Sequence, residues 1–344
     1  MTNATDGPPL ANRLEGLSPP KVRLAPPVMV ASPATPPTLP RLPSPAKLLV
    51  ALVLVGAGLR AGAMMNDRCL WIDESMLALN LIERTPAQLF EPLDWNQGAP
   101  VGFLLAAKAS IAVFGPSEFG LRFVPFLGSV IGLALFAGVS RRLLPAPAAL
   151  LATGLMAVSP YLLSYSAECK QYVTDATITA GLFALSIGLL RGEGSLGRWA
   201  ALGLGGAAAV WFSHPSTFVL GGIGTALLAQ ALLARDRGRF VAAALTVGCW
   251  LASFGVCYLL CLRQLGANQY LLDYWNGHFL PLPPKSISDL TWLLDHFFTF
   301  FAFPGGLGGT EIRAGGIAAA LFVVGVIGFW RERWPVAVAL VLPA

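Results

Sequence analysis

Two adjacent carboxylates follow the first long apolar segment of the chain. Asp73 and Glu74 stand in "CLWIDESMLALN", residues 69–80, in a sequence of which only 12% is charged. A carboxylate in such a place can act as a general base that takes the proton of an attacking hydroxyl group. The alternative is a surface helix whose first turn carries two solvated acids, since acids there suit the helix dipole. Both interpretations place the two acids at the start of a helix.

A second polar stretch is "SPYLLSYSAECKQYVTD", residues 159–175. Glu168, Tyr172 and Asp175 are spaced i, i+4, i+7, so on a helix they share one face. Lys170 stands among them and can hold an anion. The alternative is a polar collar at the end of a membrane span, with a lysine whose stem lies along apolar surface.

A histidine marks a third place of interest. His214 precedes Pro215 in "WFSHPSTFVL", residues 211–220, where one apolar segment ends and the next begins. The proline explains a turn, and the histidine fits either an interface residue or a site residue. The sequence has no His-x-x-x-His or Cys-x-x-Cys spacing, so we expect no preformed zinc site. It has no P-loop or dinucleotide fingerprint either.

Two cysteines lie beside the acidic stretches. Cys69 stands four residues before Asp73, and Cys169 is next to Glu168. A disulfide between them would join the two stretches in an oxidising compartment; the alternative is two free thiols. The other cysteines lie in one apolar segment and are predicted to be small core residues: Cys249, Cys257 and Cys261.

The elements that must position these residues are membrane helices. The 344-residue chain is 55% hydrophobic, and a soluble domain carries about twice its charged fraction. Apolar segments recur from Lys47 onward, many near the length of about 20 residues that crosses a bilayer, and they lack the alternation of barrel strands. The sequence therefore predicts an all-α, polytopic transmembrane protein. A net charge of +5 without a basic patch argues against a nucleic-acid partner.

The two ends of the chain differ from the rest. Residues 1–46 are predicted to be a disordered cytoplasmic tail, because a proline-rich segment with few aromatic residues cannot bury a core. Residues 47–344 are predicted to form the transmembrane domain. The closing "PVAVALVLPA" stops part-way through an apolar segment, which indicates a truncated chain.

The basic residues select a topology. If residues 99–115 lie at the membrane interface, as their short length and Lys108 allow, four basic clusters face the cytoplasm together with the N-terminus. These clusters are 141–142, 191 with 198, 235–239 and 331–333. The predicted spans are then 47–65, 121–140, 147–163, 175–190, 199–213, 216–234, 240–262 and 314–330. Residues 66–120 become a long first external loop with surface helices, a kind of loop that is usually functional.

This order of segments resembles the GT-C glycosyltransferases, and more narrowly the glycosyltransferase family 39 group. The resemblance rests on the acidic pair, on "NQGAPVGFLLAAKASIAVFGPSEFGLRFVPFLGSVIGL" and on "SPYLLSYSAECKQY", and it covers residues 47 to about 220. It implies a multi-span helical enzyme with surface-lying helices in its first external loop. It also implies a polyprenyl-phosphate sugar donor and an active site on the outer, periplasmic or luminal, face of the inner or plasma membrane.

The resemblance assigns roles to individual residues. It implies that Asp73 is the catalytic acid, with Glu74 beside it. It maps the other motifs onto Gln97, Ala99 and Pro100 after the acidic stretch, and onto Glu168 and Tyr172 in the second external loop. Many relatives have two prolines where this chain has an alanine and a proline. No metal cofactor is expected, although paired carboxylates are also ligands for a divalent ion.

The expected reaction moves a sugar from lipid phosphate to a hydroxyl group of a protein, lipid or polysaccharide. Asp73 would be the base, Glu74 would orient it or the acceptor, and direct attack would invert the anomeric carbon. The departing phosphate needs a cation. The candidates are Lys170 and Arg263, with Arg122 a weaker one, and the sugar pocket would be lined by Glu168, Tyr172 and His214.

Two other classes of function stay open. A multi-span transporter or lipid flippase of the cell envelope is the main alternative. Transporters, however, place ionisable residues near mid-membrane on broken helices, often in repeated halves. Here the acids gather at the ends of the predicted spans, and no convincing repeat is present. A non-catalytic assembly subunit with the same scaffold is the third possibility.

Overall fold

The structure is a computed structural model that describes residues 43–66, 68–279, 281, 283–302 and 312–343. Residues 1–42 of the predicted disordered tail lie outside the described residues. The last two residues of that predicted tail, Pro45 and Ala46, belong to the first helix. All regular elements of the described part are helical. The all-α prediction is therefore confirmed.

The described residues form fourteen α-helices. They are α1 (Pro45–Met65), α2 (Ile72–Glu83), α3 (Val101–Phe114), α4 (Glu118–Leu143), α5 (Ala146–Val158), α6 (Pro160–Ser166), α7 (Tyr172–Leu190), α8 (Leu196–Phe212), α9 (Ser216–Leu233), α10 (Arg237–Cys257), α11 (Arg263–Gly266), α12 (Gln269–Tyr274), α13 (Ile287–Ala302) and α14 (Ile312–Val341). Short 3-10 turns occupy Gln88–Phe90, Asp94–Asn96 and Asn276–His278, and a π turn, Tyr258–Leu262, joins α10 to α11.

Six helical segments of the described chain are long and apolar enough to cross a membrane. They are α1, α4, α7, α9, the stretch Arg237–Gly266 and the stretch Gly315–Val341 of α14. The pair α5 and α6 makes a seventh if its two halves form one span. The predicted spans coincide with these seven segments, although α14 continues past residue 330 with a kink at Arg333. The eighth prediction, 199–213, falls on α8, whose 17 residues make it shorter than the others, so a crossing there stays a prediction.

A proline breaks the predicted span 147–163 into α5 and α6, which meet at 52°. Pro160 has no N–H to donate to the carbonyl of Met156. The fully buried Arg60 of α1 compensates, since its guanidinium donates to the carbonyls of Met156 at 3.2 Å and Ala157 at 3.1 Å. It also donates to the hydroxyl of Ser129 at 2.6 Å. The cost of a charge inside an apolar segment is thus reduced by acceptors that the break leaves free.

The predicted first external loop, residues 66–120, contains α2 and α3. The 14 residues of α3 give a length of about 21 Å, which is too short to cross a hydrocarbon core of about 30 Å. In the sequence, Lys108 favoured an interfacial position for residues 99–115. In the structure its ammonium donates to the carbonyls of Leu81 at 2.7 Å and Ile82 at 3.2 Å. The lysine therefore binds the C-terminal carbonyls of α2 and ties the two helices together.

The two ends of the bundle differ in charge. Arg122 and Arg142 stand 20 residues apart on α4, which corresponds to about 30 Å along a helix. Near Arg142 the bundle collects basic residues: Arg191 donates to its carbonyl, and Arg333 donates to the carbonyl of Leu143 at 3.2 Å. We call this the basic end. The opposite end, with α2 and the first turns of α4 and α7, is the acidic end.

Candidate active site

Glu74 anchors the acidic end. Its side chain is fully buried, and its two oxygens lie 3.2 Å from Nε and Nη2 of Arg122. The same carboxylate accepts the backbone N–H groups of Cys169 at 2.8 Å and Trp71 at 3.4 Å. A two-point contact between guanidinium and carboxylate is the strong form of an ion pair. This group thereby joins α2, α4 and the loop between α6 and α7.

Arg68 connects the two acidic stretches, although the sequence did not single it out. Its Nη2 lies 3.1 Å from Oε1 of Glu168 and 3.8 Å from Oε2 of Glu74. Its own carbonyl accepts a hydrogen bond from Arg122 at 3.0 Å. Glu168 also accepts the hydroxyl of Ser164 at 2.9 Å. A signal was present in the sequence, because this cation immediately precedes the first acidic stretch.

The prediction that Glu168, Tyr172 and Asp175 share a helical face is wrong for Glu168. That residue lies in the loop between α6 and α7, whereas Tyr172 and Asp175 lie on α7. In a continuous helix the N–H of Cys169 would donate to a backbone carbonyl of the same helix. Here it donates to the carboxylate of Glu74 instead. A contact with a distant segment thus overrides the local helical spacing.

Two predicted site residues that are far apart in sequence come together. Lys170 is buried, with 8% of its surface exposed, and its ammonium donates to Oε1 of Gln97 at 2.9 Å. Burial lowers the pKa of Lys170, while neighbouring carboxylates oppose that shift, Asp73 most strongly. Gln97 follows a tight turn in which Trp95 and Asn96 have φ of 57° and 54°. That turn holds the amide against the ammonium.

Asp73 has an environment opposite to that of Glu74. Consecutive residues of a helix point about 100° apart, so Glu74 points into the bundle while Asp73 is exposed. Asp73 forms no hydrogen bond and no ion pair within the described residues, but its charge acts on both Lys170 and Tyr172. Tyr172 is 45% exposed. These three side chains therefore lie near one another at the acidic end.

Two carboxylates of the acidic end form ion pairs with arginines. Glu74 is held by Arg122, and Glu168 is held by Arg68. Asp73 and Lys170 form no ion pair within 4.0 Å in the described part of the chain, and neither do Glu118 and Asp175 in the first turns of α4 and α7. Among the unpaired carboxylates, Asp73 is exposed and its charge acts most strongly on the ammonium of Lys170. It can therefore accept a proton close to an ammonium that can hold an anion.

A small cavity is lined by some of the predicted site residues and not by others. Gln97 and His214 both line a space of about 60 Å³ between the first external loop and residues 261–268, near Asn268. Burial lowers the pKa of His214, which favours the neutral imidazole. Arg263 does not line this cavity: its side chain is exposed and has no hydrogen bond or ion pair with a described residue.

The thiols beside the acidic stretches are both free. Cys69 is exposed and Cys169 is buried, so the disulfide considered from the sequence is not formed. Burial raises the pKa of Cys169 to about 12, and the charge of Glu74 adds to the shift. The thiol therefore stays protonated and unreactive. The other three do not share one environment as predicted: Cys257 is buried, Cys261 is partly exposed and Cys249 is exposed.

No group of three or more His, Cys, Asp or Glu side chains in the described ranges could hold a metal ion. The site instead consists of carboxylates paired with guanidinium groups, one amide and one ammonium. The expectation that no cofactor is needed is not tested by this arrangement and stays a prediction.

Comparison with known proteins places this geometry in a class of membrane protein. Residues 98–260 match the family model described as dolichyl-phosphate-mannose-protein mannosyltransferase. No curated protein matches the chain in sequence. The described helices and their match to a GT-C structure define an integral, polytopic membrane protein of the GT-C type.

That structure is ArnT from Cupriavidus metallidurans in the apo state. The TM-score is 0.55 at 15% sequence identity, and the match covers 87% of this chain and 53% of that chain. The present chain thus spans about half the length of the solved protein, and the likeness shows the fold. Together with the family match, it confirms the resemblance that the motifs indicated.

The ion pair of Glu74 predicts a difference between the two adjacent acids. Glu74→Gln should cost about 3–5 kcal/mol of stability, because Arg122 would stay buried without its counter-charge. Asp73→Asn is the matched control one residue away. Its carboxylate is exposed and forms no hydrogen bond or ion pair with a described residue, so the melting temperature of the purified protein should fall much less than in Glu74→Gln.

A double variant separates charge from shape. Glu74→Gln combined with Arg122→Met removes both charges and should recover part of the melting temperature that Glu74→Gln loses. Equal melting temperatures for the Glu74 and Asp73 single variants would show that the buried pair does not hold the site together.

Proposed function

We propose that the protein is a membrane glycosyltransferase that moves a sugar from a polyprenyl-phosphate donor to an acceptor hydroxyl group at the acidic end. The family match over residues 98–260 and the GT-C fold support a glycosyltransferase. The observation that carries the proposal is which charged side chains of the acidic end form ion pairs and which do not. Glu74 and Glu168 are held in ion pairs, whereas Asp73 and Lys170 act on each other's charge without forming one.

The proposed reaction is one displacement at the anomeric carbon. The acceptor oxygen bonds to this carbon as the bond from the carbon to the phosphate oxygen breaks, and attack opposite the phosphate inverts the configuration. Asp73 takes the proton of the acceptor hydroxyl group. Lys170 holds the departing phosphate, on which negative charge grows. The scheme needs no metal ion, because the ammonium supplies the positive charge.

The paired residues position this chemistry. Glu74 binds the helix that carries Asp73 to the loop that carries Lys170, so it fixes the distance between base and cation while its own side chain stays buried. Gln97 directs the ammonium through its hydrogen bond. Tyr172 is partly exposed near Asp73, Glu168 fixes the loop that carries Lys170, and His214 lines the small cavity with Gln97, so these three would contact or shape the sugar site. Arg263 has no place in this arrangement.

Asp73→Asn should lower the transfer rate by about 10²- to 10⁴-fold, because the amide keeps the shape and removes the base. The assay follows sugar transfer from a synthetic polyprenyl-phosphate sugar by purified protein. Glu83→Gln is the matched control, since it removes an exposed acid at the far end of α2. Full activity of the Asp73 variant would refute its role as base. Lipid-linked sugar that crosses vesicles without being transferred would favour a flippase instead.

Lys170 predicts the alkaline side of the pH profile. The lysine binds phosphate when charged, and its pKa lies below the usual 10.5 because of burial. The kcat/KM, which reports the free enzyme, should therefore fall as the pH rises through that lowered pKa. Lys170→Arg should move the fall to higher pH, because arginine keeps its charge. A profile that is identical in the two proteins would remove Lys170 from the phosphate site.

The basic end gives the proposed orientation. Membrane proteins keep arginine and lysine on the cytoplasmic side, so the acidic end would face outward. Cys69 is exposed there, and a membrane-impermeant maleimide should label it on intact spheroplasts. Cys69→Ser combined with Cys261→Ser, which removes the partly exposed thiol near the same end, should abolish that labelling. Arg237→Cys in that double-serine background should be labelled only after lysis. The reverse pattern would place the site in the cytoplasm.

A further inference from the structure

A cavity of about 350 Å³ lies at the basic end, far from the candidate active site. It is formed by the C-terminal turns of α4 and α7 and by the start of α8. Its polar wall consists of Arg142, Arg191, Arg198 and Glu193, and its apolar wall includes Leu185 and Ile187. The cavity therefore combines guanidinium groups with a hydrocarbon surface.

The polar wall keeps an excess of positive charge. Glu193 pairs with Arg198, with 2.7 Å between the carboxylate and Nη1. Arg142 donates to the carbonyl of Ala184 at 3.3 Å, and Arg191 donates to the carbonyl of Arg142. Carbonyl groups orient these two guanidinium groups but do not neutralise them. Arg142 and Arg191 thus have no carboxylate partner among the described residues, and both are exposed.

An apolar groove continues from this cavity. Leu185 also lines a second space of about 380 Å³ between α4, α7 and α8, together with Leu135, Ile178 and Phe212. The groove follows α7 through its membrane-spanning part. An occupant of both spaces must carry a negative charge at one end and a long apolar chain at the other.

We propose that the cavity binds the headgroup of an anionic glycerophospholipid, with one acyl chain in the apolar groove. Guanidinium groups match the geometry of phosphate oxygens, and basic pockets between membrane helices suit anionic headgroups. Arg142 lies 20 residues from Arg122 along α4, about 30 Å away, so it reaches the headgroup level of the opposite leaflet. A zwitterionic lipid brings its own cation and would gain less from the two unpaired arginines.

A bound headgroup would connect three helix ends. Arg142 belongs to α4, Arg191 directly follows α7, and Arg198 belongs to α8. The lipid should therefore raise the melting temperature of the protein as well as bind to it. Binding of this lipid does not require the proposed transferase reaction.

The test compares two lipids on the delipidated full-length protein by native mass spectrometry. Phosphatidylglycerol should bind more tightly than phosphatidylcholine of the same acyl chains and should raise the melting temperature more. Arg142→Gln combined with Arg191→Gln should weaken phosphatidylglycerol binding by about 30-fold, at about fivefold per arginine, and leave phosphatidylcholine unchanged. The double lysine variant, which keeps the charge, should retain most of the preference.

Arg237→Gln is the matched control, because it removes an exposed arginine from the first turn of α10 that does not line the cavity. It should bind phosphatidylglycerol as the unchanged protein does. If the double glutamine variant does not fold, each single variant should show a fivefold loss. Equal binding of the two lipids, or unchanged binding by the arginine variants, would overturn the proposal. So would arginine-dependent binding of polyprenyl phosphate without binding of phosphatidylglycerol.

Discussion

The buried ion pair between Glu74 and Arg122 is the contact on which the acidic end depends. A carboxylate removed from water is costly unless its oxygens are paired and hydrogen-bonded. Here two guanidinium nitrogens and two backbone N–H groups satisfy it, and one of those N–H groups belongs to Cys169, 95 residues further along the chain. The helix that carries Asp73 and the loop that carries Lys170 are therefore held by one carboxylate.

The sequence does not show that the two adjacent acids have different environments. Both stand in the first turn of α2, where the helix dipole favours either one. The rotation between consecutive helical residues sends Glu74 into the bundle and leaves Asp73 exposed. An acid without protein partners keeps its oxygens available for a proton, whereas a fully bonded acid does not. The difference in environment between the two acids thus comes from helix geometry and from the position of Arg122.

Hydropathy and charge placement predicted the membrane helices well, because the length of a span is a property of a segment; the side of the membrane that each end faces stays a prediction. They did not predict where segments meet. The break at Pro160 has a local cause, the proline itself, but the arginine that compensates for it, Arg60, comes from another helix. Glu168 was assigned to a helix because its partner, Arg68, lies 100 residues earlier and has no periodic relation to it. Long-range polar contacts leave almost no pattern in a single sequence.

The pairing of α4 with α7 links the two polar ends through an apolar middle. A Cβ atom on Gly132 would lie 2.5 Å from Oγ1 of Thr177, so the glycine is what allows this close approach. The same hydroxyl donates to the carbonyl of Gly128 at 2.7 Å. Lipid tails are as apolar as the helix surfaces, so the hydrophobic effect does not drive helices together inside a membrane. Small residues that permit close packing and hydrogen bonds of this kind make the helices associate instead. Sliding α7 along α4 would break this contact, and it would also move the loop that holds Lys170 away from Arg122 and its carboxylate. The register fixed in mid-membrane therefore sets the geometry of the charges at the acidic end.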